Sequence, residues 1–275
     1  MRPLTIKHTT FGEGTPKICI PIIGRRAEDI LEAAETITTL PADVVEWRAD
    51  HYEAVAEPGA VPPVLDALRK KLPDTLLLFT FRTKKEGGVR ELSDSDYLEL
   101  CRAVAKSGLA DLLDLELFTG ALAPEPDGQA TTGGQAAADR RARPVANPGL
   151  LAPVITLAHA HGGHVVLSSH DFQKTPSENE LYRRLFLMES MGADLAKLAV
   201  MPNCEQDVLT LLSATRKAAD ALNVPVITMS MGRIGAVSRI SGRLTGSCMT
   251  FGTAGEESAP GQLPAKTLKH ILETL

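Results

Sequence analysis

The chain is poor in aromatic residues, which make up 4% of its 275 positions. Aliphatic side chains therefore dominate the 44% that is hydrophobic, enough for one large domain with a sizeable core. Cysteine is sparse too. Cys19, Cys101, Cys204 and Cys248 are widely scattered, a spacing that excludes a metal knuckle and a small disulfide scaffold. No dominant basic face accompanies the net charge of −5, so neither nucleic acid nor an acidic membrane surface is indicated as a partner. No uninterrupted apolar stretch is long enough to span a bilayer, and Met1 to His8 lack the apolar core of a signal peptide. The expectation is a soluble, reduced, cytoplasmic protein. A dinucleotide fingerprint is missing after the first strand candidate. Gly12-Glu13-Gly14 precedes that strand and reads as a hairpin turn.

What the chain does have is alternation. Strand candidates rich in Val, Ile and Leu are Lys17 to Ile23, Val44 to Ala49, Leu76 to Arg82, Leu112 to Leu117, His164 to His170, Leu195 to Met201, Pro225 to Met231 and Ser247 to Thr253. Helical patterns cover Glu28 to Leu40, Val61 to Leu72, Asp94 to Ser107, Leu150 to His161, Glu178 to Met191, Glu205 to Leu222 and Ala265 to Leu275, with a weaker, Gly-rich stretch at Arg233 to Gly246. This order predicts an α/β fold: a closed (β/α)8 barrel, in one domain over residues 1–275. A doubly wound open sheet is the alternative. Residues 4–15 are expected to form a hairpin closing the barrel floor. Residues 121–149, rich in Ala, Pro, Gly, Thr and Gln, read as a flexible insertion. Arg140, Arg141 and Arg143 within it suit a solvated loop.

Lys197 is the least expected residue of this pattern, because it lies inside an apolar strand. Burying an ammonium ion costs several kcal/mol, which favours the neutral, nucleophilic amine. Strand alternation places Lys197 on one face with Leu195, Ala199 and Met201. The same rule puts Glu46, Arg48 and Asp50 on one face, Thr80 and Arg82 on another, and Ser168 with His170 on a third. Charged groups thus converge on the C-terminal rim, where barrel enzymes keep their catalytic groups. Ion pairs that merely hold the rim together are the competing account. A neutral lysine attacks a ketone to give an iminium, which acidifies the neighbouring C–H. A histidine removes that proton, and arginines hold a carboxylate. The residues alone therefore indicate a Schiff-base lyase or aldolase acting on an anionic keto compound.

Several motifs now form an ordered set: Glu46-Trp47-Arg48 with Asp50, Phe79-Thr80-Phe81-Arg82 through Glu86-Gly87-Gly88, and Asp114-Leu115-Glu116-Leu117-Phe118. Ser169-His170-Asp171-Phe172 with Thr175-Pro176 follows, then Lys197 through Pro202, Met229-Ser230-Met231-Gly232, Ser238-Arg239 and Ser258-Ala259-Pro260-Gly261-Gln262. On these the chain resembles the type I 3-dehydroquinate dehydratases along nearly its whole length, the 121–149 stretch excepted. The resemblance implies dehydration of 3-dehydroquinate to 3-dehydroshikimate in the shikimate pathway of aromatic amino acid biosynthesis. It implies an imine on Lys197, with His170 as proton donor and acceptor and Glu86 orienting it. It also implies Arg239 on the substrate carboxylate, with Ser258 and Gln262 closing over it, and Glu46, Arg48 and Arg82 on the ring hydroxyls. No metal or organic cofactor is implied, and a homodimer is. Pro21 departs from members that carry a substrate-contacting serine there. A different Schiff-base aldolase, or a silent ligand sensor on the same barrel, are the alternatives.

Two further patterns are set aside. His159, His161 and His164 fall on the barrel floor, with no carboxylate or cysteine at ligand spacing to support a metal site. Gly242-Arg243-Leu244-Thr245-Gly246-Ser247 is too loose for a phosphate loop.

Overall fold

The computed structural model describes residues 1–121, 145–255 and 257–275. The eight apolar runs become strands: β3 (Lys17–Ile22), β4 (Val44–Arg48), β5 (Leu76–Thr80), β6 (Leu112–Glu116), β7 (His164–Asp171), β8 (Leu195–Val200), β9 (Val226–Ser230) and β10 (Met249–Thr253). They pair in parallel in chain order, and β10 pairs with β3. A parallel bridge between Val226 and Ser247 joins β9 to the approach of β10. There the Cys248 N–H donates to the Val226 carbonyl at 2.8 Å. The sheet therefore closes as a (β/α)8 barrel, and the short β11 (Leu263–Pro264) extends β10 outward.

Helices α1 (Ala27–Ile37), α2 (Val61–Lys71), α3 (Asp94–Ser107), α4 (Pro148–Ala160), α5 (Glu178–Ser190), α6 (Glu205–Ala221) and α9 (Ala265–Thr274) cover the outside. Each turns an apolar stripe inward, as Ile30, Ala34 and Ile37 do in α1. Helix α3 starts where the Ser93 hydroxyl accepts the Asp96 N–H and stops at Gly108, whose φ of 63° a side chain would resist. Between β9 and β10 the helical layer breaks into α7 (Gly232–Gly235), a 3₁₀ turn at Ala236–Arg239 and α8 (Gly242–Thr245). This is the stretch that its glycines mark as weak.

Side chains divide by parity. Ile18, Ile20, Val45, Trp47, Phe79, Leu115, Leu167, Ala196 and Leu198 belong to the layer between strands and helices. Cys19, Val44, Leu76, Leu78, Leu112, Val166, Leu195, Ile227 and Met249 fill the lower barrel interior. The expected N-terminal hairpin is present as β1 (Leu4–Ile6) and β2 (Thr9–Phe11), and Ile6 and Phe11 plug that interior from below. Its turn differs from the expected one. The chain reverses at Lys7-His8, with Lys7 at φ 51° and its amine 2.7 Å from Asp111. That ion pair accompanies a left-handed conformation a lysine seldom adopts, while Gly12 and Gly14 form a second bend into β3.

A few boundaries also move. Helix α1 ends before Leu40, because Pro41 disfavours a helical residue ahead of it. Pro225 has no N–H for the ladder and stays outside β9. Helix α4 begins at Pro148, whose missing N–H costs nothing in a first turn. The 121–149 stretch, with Arg140, Arg141 and Arg143, therefore falls mostly outside the described residues. On the floor, His159 does have a carboxylate, Asp194 at 2.8 Å, contrary to the reading from spacing. The folded strand start brings it close, and the same Asp194 oxygen accepts the Val165 N–H.

Candidate active site

The upper interior of the barrel is polar where the lower one is apolar. Strand β4 supplies Glu46 and Arg48, β6 supplies Asp114 and Glu116, β7 supplies Ser168 and His170, and β8 supplies Lys197. All but His170 are buried. Arg82 follows the end of β5, and Glu86 closes the 3₁₀ turn Lys84–Glu86. Glu46, Arg48, Arg82, Glu86, His170, Lys197, Ser258 and Gln262 line one cavity of about 470 Å³, mouth included. Phe172, Met229, Met231 and Phe251 give it apolar walls. Pro21 lies in β3 level with Glu46 but does not line it.

Lys197 is only 3% exposed. Its charge is not isolated, as the bare strand suggests. Nζ lies 3.1 Å from Asp114 Oδ2 and 3.6 Å from Glu46 Oε1, and 4.7 Å from the centre of the Phe251 ring. These are the carboxylates and π face that a buried cation requires. Burial alone would raise the Asp114 carboxyl, but Arg82, Lys197 and the Ser168 hydroxyl hold it below the usual range.

His170 Nδ1 is 2.9 Å from Glu86 Oε2, and the His170 backbone N–H donates to the same oxygen at 3.0 Å. The distance fits an ion pair, yet the surroundings oppose one. Burial, then the charges of Arg82, Lys197 and Arg48, push the imidazole well below its ordinary 6.5. Burial, then the nearby Glu116, push Glu86 well above the usual carboxyl range. A neutral imidazole that donates Nδ1–H to Glu86 satisfies both, and it leaves Nε2 as a free base.

Arg82 is held on several sides. It donates to Glu116 at 3.0 Å, Ser168 at 3.1 Å and Asp114 at 2.8 Å, with Glu86 at 3.5 Å. Arg48 makes two 2.8 Å hydrogen bonds to Asp50 and a longer one, 3.4 Å, to the Ser258 carbonyl. Ser258 belongs to the last loop, which is clasped on itself. The Ser258 N–H donates to Gln262 Oε1 at 2.9 Å, and Gln262 Nε2 donates to the Ser258 hydroxyl at 3.0 Å.

Arg239 sits under that loop, 1% exposed. Nη2 donates to the Pro260 carbonyl at 2.9 Å, but among the described residues Nε and Nη1 have no partner. Burial lowers this guanidinium to about 10, with Glu257 opposing the shift. An unpaired buried cation costs several kcal/mol unless an anion arrives to meet it.

Sequence reasoning overlooked Asp114 and Glu116 as site residues. The alternation that marks Glu46 and Arg48 marks them too, since both face inward on β6. Phe251 gave no signal, because an aromatic in a barrel strand looks like core.

Residues 18–275 match the family model described as type I 3-dehydroquinase. A 3-dehydroquinate dehydratase of Listeria welshimeri is 43% identical over 275 residues, which is all of this chain and 98% of that protein. The crystal structure of a type I 3-dehydroquinate dehydratase from Clostridium difficile, with covalent modified comenic acid, is 39% identical with a TM-score of 0.86. The alignment covers 99% of this chain and 97% of that one. The 3-dehydroquinate dehydratase of Geobacillus kaustophilus has the same TM-score at 32% identity, over 100% of this chain and 96% of that one.

Proposed function

We infer the chemistry from one premise: this chain belongs to the type I 3-dehydroquinase family. It is a lyase that dehydrates 3-dehydroquinate to 3-dehydroshikimate, a step of the shikimate pathway. Its residues divide the work. Lys197 forms the imine with the C3 ketone. His170 Nε2 takes the C2 proton and returns it to the departing C1 hydroxyl, while Glu86 fixes the ring through Nδ1. Arg239 receives the C1 carboxylate on the N–H groups that lack partners, and Ser258 with Gln262 closes over it. Glu46, Arg48 and the donors that Arg82 has left over hold the ring hydroxyls. The iminium is the electron sink, so the scheme needs neither metal nor organic cofactor.

The observation that carries this reading is the shared cavity of Lys197 and the His170–Glu86 pair, with an unsatisfied arginine, itself outside the lining, under the loop that brings Ser258 and Gln262 to it. Incubation with 3-dehydroquinate and borohydride, followed by peptide mass mapping, tests it. A reduced adduct on Lys197 is expected, preceded by turnover to the enone. Lys197→Ala abolishes both, whereas His170→Ala still gives the adduct but stalls. Turnover at the wild-type rate in either variant refutes the role assigned to it.

We also read residues 1–275 as one barrel domain and place the protein in the cytoplasm. No helix among the described residues is long and apolar enough to cross a membrane. A homodimer is supported by exposed Leu209, Ile234, Val237 and Leu244, which lie on α6 and the broken layer that packs against it.

A further inference from the structure

We propose that Asp114 is the counterion of Lys197, a positioning residue that holds the charge on nitrogen both before and after the imine forms. This inference rests on the reading of Lys197 as the imine-forming lysine.

The two oxygens of Asp114 do different work. Oδ1 accepts from Arg82 at 2.8 Å and from the Ser168 hydroxyl at 2.7 Å. That fixes the carboxylate and leaves Oδ2 to face Lys197 at 3.1 Å. The side chain is fully buried, so no water competes for it. Glu46 is the rival, but it stands at 3.6 Å, and the oxygen it turns to Lys197 also accepts the Thr80 hydroxyl at 2.9 Å.

The chemistry asks for a permanent anion at this place. Overall, an ammonium and a ketone give an iminium and one water. The nitrogen–carbon bond forms, the carbonyl oxygen departs with two of the three N–H protons, and one positive charge remains on nitrogen. The charge to be balanced is therefore the same on both sides of the step, and Oδ2 stays within reach of it. An opposite charge at this range also favours the protonated amine. Asp114 thus makes the iminium easier to keep. The other groups facing Lys197 are Cys19 from β3, Glu46 from β4, Arg82 beyond β5, His170 from β7 and the Phe251 ring from β10. Of these, only Glu46 is another carboxylate in contact with Nζ.

The test is the pH profile of Lys197 labelling by 3-dehydroquinate and cyanoborohydride, read by mass. It compares the wild type with Asp114→Asn, Asp114→Ser and Glu46→Gln. Asp114→Ser is a second neutral replacement, small enough for the packed interior. In the neutral Asp114 variants the acidic limb of labelling moves to lower pH by about one unit or more, while kcat falls at least tenfold. Glu46→Gln moves the limb less. A limb that stays at the wild-type position in the neutral variants overturns the proposal, however low their kcat. So does a shift in Glu46→Gln as large as that in Asp114→Asn. Failure to label the wild type at any pH sinks the Schiff-base reading instead.

Discussion

Arg239 shows how a single side chain can set binding against stability. Its Nε and Nη1 are buried without partners among the described residues, and a guanidinium left so destabilises the empty fold. Replacing it with an apolar group of similar length removes that burden. Arg239→Met is therefore expected to raise Tm, by a gain of about 1–2 kcal/mol, while KM for 3-dehydroquinate rises by about a hundredfold through loss of a charge-assisted pair. Calorimetry and steady-state kinetics on the same preparation check both. A variant that melts lower and keeps its KM contradicts the anion-grip role. The residues of this site were unequally visible in the sequence. Lys197, His170, Glu46 and Arg48 stand on strands, where parity alone decides which way they face. Glu86 and Arg239 lie in a 3₁₀ turn and a broken helix, where no period applies, and only the family resemblance marked them.

At the scale of elements, the last loop is the part most open to change. Among the described residues it is tied to the barrel by the Arg48 and Arg239 guanidiniums and by the Gly232 N–H to the Pro260 carbonyl at 3.1 Å, and the Ser258–Gln262 clasp closes it on itself. Gly261 allows its close approach. With φ at 79°, a Cβ there would stand 2.5 Å from the Gly232 carbonyl oxygen. Gly261→Ala should push the loop off Gly232 and raise KM tenfold or more. The loop carries neither Lys197 nor His170, so borohydride labelling at saturating substrate is expected to persist. Loss of labelling would mean the loop holds up the barrel itself. The elements were legible because eight apolar runs alternate with amphipathic stripes, a pattern few folds share. The hairpin turn was not, since Lys7 enters a left-handed conformation beside an ion pair to Asp111, 104 positions further along the chain.

Over the whole molecule, the groups proposed for the chemistry line the cavity, whereas the apolar surface at Leu209, Ile234, Val237 and Leu244 lies outside it. Assembly and chemistry should then separate. The double variant Ile234→Glu, Leu244→Glu is expected to sediment as a monomer where the wild type is a dimer, with kcat within about threefold. A wild type that already sediments as a monomer removes the dimer proposal. The Ile6–Phe11 plug carries a different consequence. It makes the barrel a room with one door. The water released by each dehydration and the water that later frees the lysine must share the rim with substrate and product. Whatever narrows that rim therefore slows the arrival of substrate and the exit of product together.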